Sequence, residues 1–375
     1  MLEKQLNDSR RIFGLDLMRA VAILMVLSSH CLWIYPESNS FFAQLLKLFG
    51  FLGVEIFFVL SGFLIGKILL QSFLKHDFSF SHTIKFLRRR WFRTLPNYFL
   101  ILLANIIIAG IIGYKIESLW KYFFFLQNFS GPMPTFFPES WSLSVEEWAY
   151  MLLPLLLLSA AYIAKPKNKS LFFIILLCLL LILSLIAKIY LYVNTAVVNL
   201  NDWNVSLKAV VVYRLDAILY GVLSSWIYCQ YYDFWKKNKA VFLLIGIIGL
   251  LFIFFGFGKM AVTAESQNMI LYTIYLPAVS ICIALFLPFL SGWKSENSIA
   301  KKPIVYISLI SYSIYLLHYS VILQLMKYFF PINDFSEIQL HIFTIVYLLL
   351  TIIFSFGLYV FYEKPIMDLR EKSKK

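Results

Sequence analysis

The stretch "LFFIILLCLLLILSLIA", residues 171–187, carries no charge, no glycine and no proline. About 20 such residues, rising 1.5 Å each, cross a hydrocarbon core of roughly 30 Å as a helix. Similar runs recur along the whole chain. Of its 375 residues, 61% are hydrophobic, 18% aromatic and only 14% charged, whereas soluble domains carry about 25% charged residues. The expected fold class is therefore all-α, a polytopic transmembrane helical bundle forming a single membrane domain over residues 1–375, with no appended soluble domain. Length and flanking polarity place ten full spans at about 13–35, 45–70, 95–113, 141–164, 170–193, 208–229, 240–258, 268–290, 304–329 and 338–362.

A net charge of +13 would suggest nucleic acid in a soluble protein; in a membrane protein it is first tested against topology. With the amino terminus in the cytoplasm, "DSRR", the stretch from Lys85 to Arg93, "KPKNK", "WKKNK", "KSENSIAKK" and "REKSKK" all fall inside. The opposite loops "PESNSFF", "NTAVVNLNDWN" and "PINDFSE" hold no Lys or Arg. Cytoplasmic loops collect positive charge, so both termini are expected inside and no nucleic-acid partner is needed. The segment "LWKYFFFLQNFSGPMPTFFPES", residues 119–140, must begin and end outside and is too short to cross. It reads as a re-entrant element, which survives at membrane depth only when packed in protein or lining a cavity. The first apolar segment carries Arg19 and lacks a cleavage pattern, so it is expected to stay in the mature protein. Cys31, Cys178, Cys229 and Cys282 lie singly in apolar stretches, which supports neither a disulfide framework nor a zinc site, and no metal is expected.

Ionisable groups inside a bilayer cost at least about 2.5–3.5 kcal/mol on insertion scales and are functional candidates by default. Arg19 and His30 are eleven residues apart, which returns them to nearly one azimuth with about 16 Å between them. Asp16 lies one turn below Arg19 and can pair with it. By depth, His30, Glu146 and Glu147 belong to one outer layer, with Arg214, Asp216 and His318 also in outer halves and Glu55 near mid-depth. Ser311, Tyr315 and His318 share a helix face. The expected map has two tiers: arginines at the cytoplasmic mouth, and His, Glu and Tyr towards the outside. Arginines bind phosphate through bidentate, charge-assisted hydrogen bonds. A histidine oriented by Glu146 or Glu147 can act as general base on a hydroxyl. The map suits transfer from a cytoplasmic anionic donor to an acceptor across the membrane. Structural readings stand beside these: Arg19 snorkelling to the interface, His30 as an interhelical hydrogen bond, "FLRRRWFR" as a lipid-binding flank, and Arg214 neutralised by Asp216.

Taken together the motifs resemble the acyltransferase 3 family, bacterial membrane O-acyltransferases of surface polysaccharides such as O-antigen in lipopolysaccharide. "GLDLMRAVAILMVLSSH" is similar to that family's Arg-x10-His helix, falling on Arg19 and His30. "GVEIFFVLSGFLIG" resembles its second helix and "RRRWFRTLPNY" its R-x-x-R stretch, on Arg90 and Arg93, with Arg88 and Arg89 adjoining. "WSLSVEEWAYMLLP" resembles its Trp, Glu and Tyr block, carried by Trp141, Ser144, Glu146, Glu147 and Tyr150. "YRLDAILYG", "ISYSIYLLHY" and "YEKPIM" follow in the family's order. Leu17 departs from a common glycine.

The resemblance implies an acyl-CoA donor, usually acetyl-CoA and used as substrate with no permanently bound cofactor. It implies a polysaccharide or lipid-linked oligosaccharide hydroxyl as acceptor, and residence in the bacterial inner membrane. Arg19, Arg88, Arg89, Arg90 and Arg93 would hold the donor. His30, with Glu146 or Glu147, would be catalytic. Asp16, Glu55, Trp141, Ser144, Tyr150, Arg214, Asp216, Tyr315 and His318 would bind substrate or support the site. A proton-coupled transporter or permease remains the rival, since intramembrane Arg, His and Glu also build proton relays.

Overall fold

The computed structural model describes residues 11–35, 40–75, 78–194, 200–257, 269–294 and 301–372. His76, most of the loop "PESNSFF" and parts of several basic flanks lie outside the described residues. Among those described, all regular secondary structure is helical. Among the described residues eight helices are long and apolar enough to cross a bilayer, and the multi-pass character read from composition holds.

The chain opens with α1 (Phe13–His30), extended by a short 3₁₀ turn, then α2 (Phe41–Lys75) and α3 (Phe80–Ile112). A short turn α4 (Trp120–Phe123) precedes α5 (Ser140–Ala164) and α6 (Lys169–Asn194). Next come the short α7 (Leu200–Trp203), a π turn at Asn204–Lys208, and α8 (Val211–Gln230). Segment 201–208 meets α8 at 70°, a broken ninth candidate span. Straight helicity had been expected from residue 208.

After α9 (Tyr232–Lys237) and α10 (Lys239–Leu251), the expected span at 268–290 appears as three pieces, α11 (Met269–Thr273), α12 (Tyr275–Ala284) and α13 (Leu287–Ser291). Pro277 and Pro288 fall in the first turns of the last two pieces. A proline ring there is tolerated, but in a continuous helix it would clash with the preceding turn. The bundle closes with α14 (Lys301–Leu317), a π turn at His318–Leu323, α15 (Gln324–Phe329), α16 (Glu337–Leu358), a π turn at Tyr359–Glu363 and α17 (Lys364–Lys372).

The most extensive packing in the bundle is between α2 and α8. Both helices present small residues four apart, Gly62 and Gly66 on α2 against Gly221 and Ser225 on α8. A Cβ added to Gly62 would lie 2.0 Å from the Ile218 carbonyl oxygen, and one on Gly221 would lie 2.1 Å from that of Val59. Close backbone approach through small residues is how helices associate where lipid is as apolar as leucine. On its other side α2 packs antiparallel to α1, with Gly53 against Ala22 and Val26. Helix α14 runs parallel to α1, Ser308 beside Asp16 and His318 beside His30.

Residues 113–139 leave and return on the same end of the bundle and are tucked between helices, as expected of a re-entrant element. Asn128 Nδ2 donates to the carbonyls of Trp141 (3.0 Å) and Ala209 (2.6 Å), and Asn128 O accepts from Val211 N at 3.0 Å. Tyr122 is buried and its hydroxyl donates to Phe136 O at 2.8 Å. The irregular backbone is thus satisfied by protein, which the absence of water at membrane depth requires.

Candidate active site

A cavity opens between α1, α2, α3, α5 and α14. Three guanidinium groups, Arg19, Arg90 and Arg93, line it together with Glu146, Tyr150 and Tyr315. Arg90 and Arg93 are three apart on α3 and so share a face, whereas Arg88 and Arg89 turn away. Those two are exposed and outside the cavity, and Arg88 lies over the Phe92 ring at 5.5 Å. The expected five-arginine cluster is therefore a three-arginine one.

Arg19 is fixed from below. Its Nη1 donates to Ser308 Oγ at 3.1 Å and to Asp16 Oδ1 at 3.4 Å, and Ser308 Oγ donates to the same carboxylate oxygen at 2.7 Å. Arg11 adds two further bonds to Asp16, at 3.0 and 2.5 Å. Asp16 pairs with Arg19 as its spacing implied, and the contacts to α14 anchor an arginine that was otherwise free to snorkel.

Glu146 joins the arginines instead of His30. Tyr150 donates to Glu146 Oε2 at 2.9 Å, which uses its one proton, so the Ser61 hydroxyl bonded to Tyr150 must be a donor. The Arg90 guanidinium sits over the Tyr150 ring at 5.5 Å. The expected single layer of His30 with Glu146 and Glu147 is corrected by the position of α5. Its start lies level with Tyr315 and Ser320, through Ser142 to Tyr315 at 2.6 Å and Ser320 N to Glu139 at 3.0 Å. The re-entrant segment draws the helix start inwards, so the carboxylates sit one to two turns further down than counting from the surface placed them. Glu147 is buried on another face, outside the cavity, and its Oε2 has no partner among the described residues.

His30 lies beyond the outer end of the cavity. Tyr315 lines that end, its ring 5.8 Å from His318, and the His318 ring is edge-on to His30 at 4.6 Å. The expected carboxylate partner of His30 is replaced by a backbone oxygen: Nδ1 lies 2.8 Å from Val26 O. A carbonyl cannot donate, so Nδ1 carries the proton and the neutral ring presents the Nε2 lone pair, the form of a general base. His318 repeats the arrangement, Nδ1 facing Ile314 O at 3.1 Å and Tyr315 O at 2.8 Å.

The remaining candidates stand apart from the cavity. Arg214 and Asp216 do not neutralise each other, because residues two apart on a helix face opposite sides. Arg214 pairs with Glu55, neither with any solvent exposure, and Ser280 Oγ adds a bond to Glu55 at 3.1 Å. Asp216 pairs with Lys188 from the C-terminal third of α6. Ser144 Oγ accepts from Gln127 Nε2 at 2.6 Å, and the Trp141 carbonyl accepts from Asn128, so both brace the re-entrant segment.

Residues not singled out from the sequence also matter. Ser61, Thr94 and Tyr312 line the cavity. Glu139 is buried just ahead of α5, accepting at Oε1 from the Ser320 amide and hydroxyl. Only "YEKP" hinted at Glu363, which accepts from Asn97 at 2.8 Å and Ser313 at 2.7 Å.

Residues 12–360 match the family model described as an acyltransferase domain. The chain belongs to this family. It is similar to an O-acetyltransferase OatA of Staphylococcus aureus, 27% identical over 97% of this chain and 58% of that protein. It is also similar to the peptidoglycan O-acetyltransferase OatA of Listeria monocytogenes, 29% identical over 82% of this chain and 49% of that protein. A putative peptidoglycan O-acetyltransferase YrhL of Bacillus subtilis is 31% identical over 43% of this chain and 26% of that protein. The chain thus spans about half the length of the longer-matching curated relatives. No solved structure matches it.

Proposed function

We propose that the protein is a membrane O-acyltransferase that moves an acyl group, acetyl first among candidates, from cytoplasmic acyl-CoA to a hydroxyl of a glycan outside the bacterial inner membrane. The observation that carries this is the cavity lined by Arg19, Arg90 and Arg93, whose outer end at Tyr315 adjoins the rings of His318 and His30, in a chain whose family is that of acyltransferase domains. Three guanidinium groups around one carboxylate leave the inner end cationic, suited to the phosphates of a nucleotide donor. The eleven residues from Arg19 to His30 span about 16 Å, comparable to an extended pantetheine arm, so a donor gripped at the arginines carries its thioester towards His30.

At the outer end, His30 Nε2 takes the proton of the acceptor hydroxyl as its oxygen attacks the thioester carbonyl carbon. The tetrahedral adduct collapses with loss of the C–S bond, the ester C–O bond remains, and the departing thiolate recovers the proton from His30 as the free CoA thiol. Two relatives carry peptidoglycan in their names, which makes an N-acetylhexosamine glycan the first acceptor to try and a lipid-linked surface polysaccharide the second.

The test supplies labelled acetyl-CoA to the cytoplasmic face of inverted vesicles and follows label into glycan, comparing wild type with His30→Ala at equal abundance. Label appearing with wild type and lost with the variant is expected. No transfer by wild type to competent acceptors, across several acyl-CoA donors, would overturn the assignment in favour of transport.

A further inference from the structure

In the outer layer two buried lone pairs have no proton donor among the described residues. His318 is fully buried, its Nδ1 proton is committed to backbone carbonyls, and its Nε2 has no hydrogen-bond partner among the described residues. Glu139 is 5% exposed; its Oε1 is satisfied by Ser320, and its buried Oε2 has no partner among the described residues. Tyr315 links the two residues: its ring lies 5.8 Å from His318 and its hydroxyl donates to the Glu139 backbone carbonyl at 3.1 Å. The His30 ring completes the group, partly exposed and presenting its own Nε2.

An unpaired buried polar atom costs about 1–3 kcal/mol, so a layer with two of them beside a candidate catalytic base is poised for a ligand that brings O–H groups. Hydroxyls match every atom present, since they donate to imidazole nitrogen and to carboxylate and can also accept. A phosphate or carboxylate ligand would add lone pairs where they already lack partners. Further out, Tyr319 packs on His30 at 5.1 Å and Trp33 on Tyr319 at 6.0 Å, with Trp33 59% exposed. This gives the layer a rim of flat amphipathic rings at its mouth, the residue type favoured where one side is apolar and the other wet.

We propose that His318 Nε2 and Glu139 Oε2, standing behind His30, form the acceptor subsite and bind sugar hydroxyls next to the one that is acylated. The site is polyol-recognising, and it lies inside the bundle because the hydroxyl must be drawn past His30 to meet the thioester at the end of the cavity. This rests on the acyl-transfer reading above.

The experiment uses the full chain in proteoliposomes with acetyl-CoA and a soluble β-1,4-linked N-acetylhexosamine oligosaccharide, measuring donor KM, acceptor KM and thermal stability separately. Glu139→Gln keeps shape and removes the charge. His318→Asn keeps a donor for the backbone carbonyls and removes Nε2. Each is expected to raise acceptor KM about tenfold, equivalent to about 1.4 kcal/mol, while donor KM stays within about twofold and stability is retained. Wild type that transfers acetyl while both variants keep a normal acceptor KM would overturn the subsite alone. Equal rises in donor and acceptor KM would mark a structural role and also overturn it. If His318→Asn fails to fold, Glu139→Gln decides. Wild type that transfers acetyl to no hydroxyl probe removes the acyl-transfer reading, and the subsite with it.

Discussion

The Glu55–Arg214 ion pair stands two helical turns before the Gly62–Gly221 contact, seven residues on both helices, and neither charge has any exposure. The equal offset means that α2 and α8 run parallel in register, so one close approach sets both. Truncating one partner of a buried pair leaves an uncompensated charge, costing about 3–5 kcal/mol, whereas replacing both with apolar groups is often neutral. Arg214→Met or Glu55→Leu alone is therefore expected to lower apparent thermal stability in detergent sharply, and the double variant to regain most of it. Additive losses in the double variant would show that the two groups are not coupled.

Glycine itself is the second requirement of that interface. Gly221→Ala places a methyl about where the Val59 carbonyl oxygen lies, 2.1 Å from the ideal Cβ, so the helices must part. Gly110→Ala, with nothing within 4 Å of the added Cβ, is the matched control. Thermal melts should separate them, with a loss on the order of several degrees for the first and none for the second.

Arg90 and Arg93 line the cavity and Arg88 and Arg89 do not. If the cavity holds a polyanionic donor, each charge-assisted hydrogen bond is worth about 1.5–3 kcal/mol. Arg90→Ala and Arg93→Ala should then raise acyl-CoA KM by roughly 10- to 100-fold, with Arg88→Ala and Arg89→Ala near wild type. Equal effects at all four positions would point instead to general attraction of an anion to a basic flank.

How much of this was legible beforehand followed from what helical arithmetic measures. Azimuth is reliable, because 100° per residue accumulates little error over three turns. It put Arg19 and Asp16 together, and Ser311 and Tyr315 on the cavity face. Depth failed where the backbone left the helix. Counting inwards from the surface placed Glu146 beside His30, but the re-entrant segment sets the start of α5 deep in the bundle, and only tertiary hydrogen bonds from Asn128, Gln127 and Tyr122 reveal that. Partner choice was also hidden. Glu55 finds Arg214, and Lys188 finds Asp216, across sequence separations of 159 and 28 residues, and no local pattern encodes either.

Replacing His30 by Ala removes the Nε2 base while leaving the arginine cavity intact. Turnover is expected to fall by at least about 10²-fold, with acyl-CoA affinity, read by equilibrium binding, within a few fold of wild type. A parallel loss of donor binding would place His30 in the donor's grip and not in proton transfer.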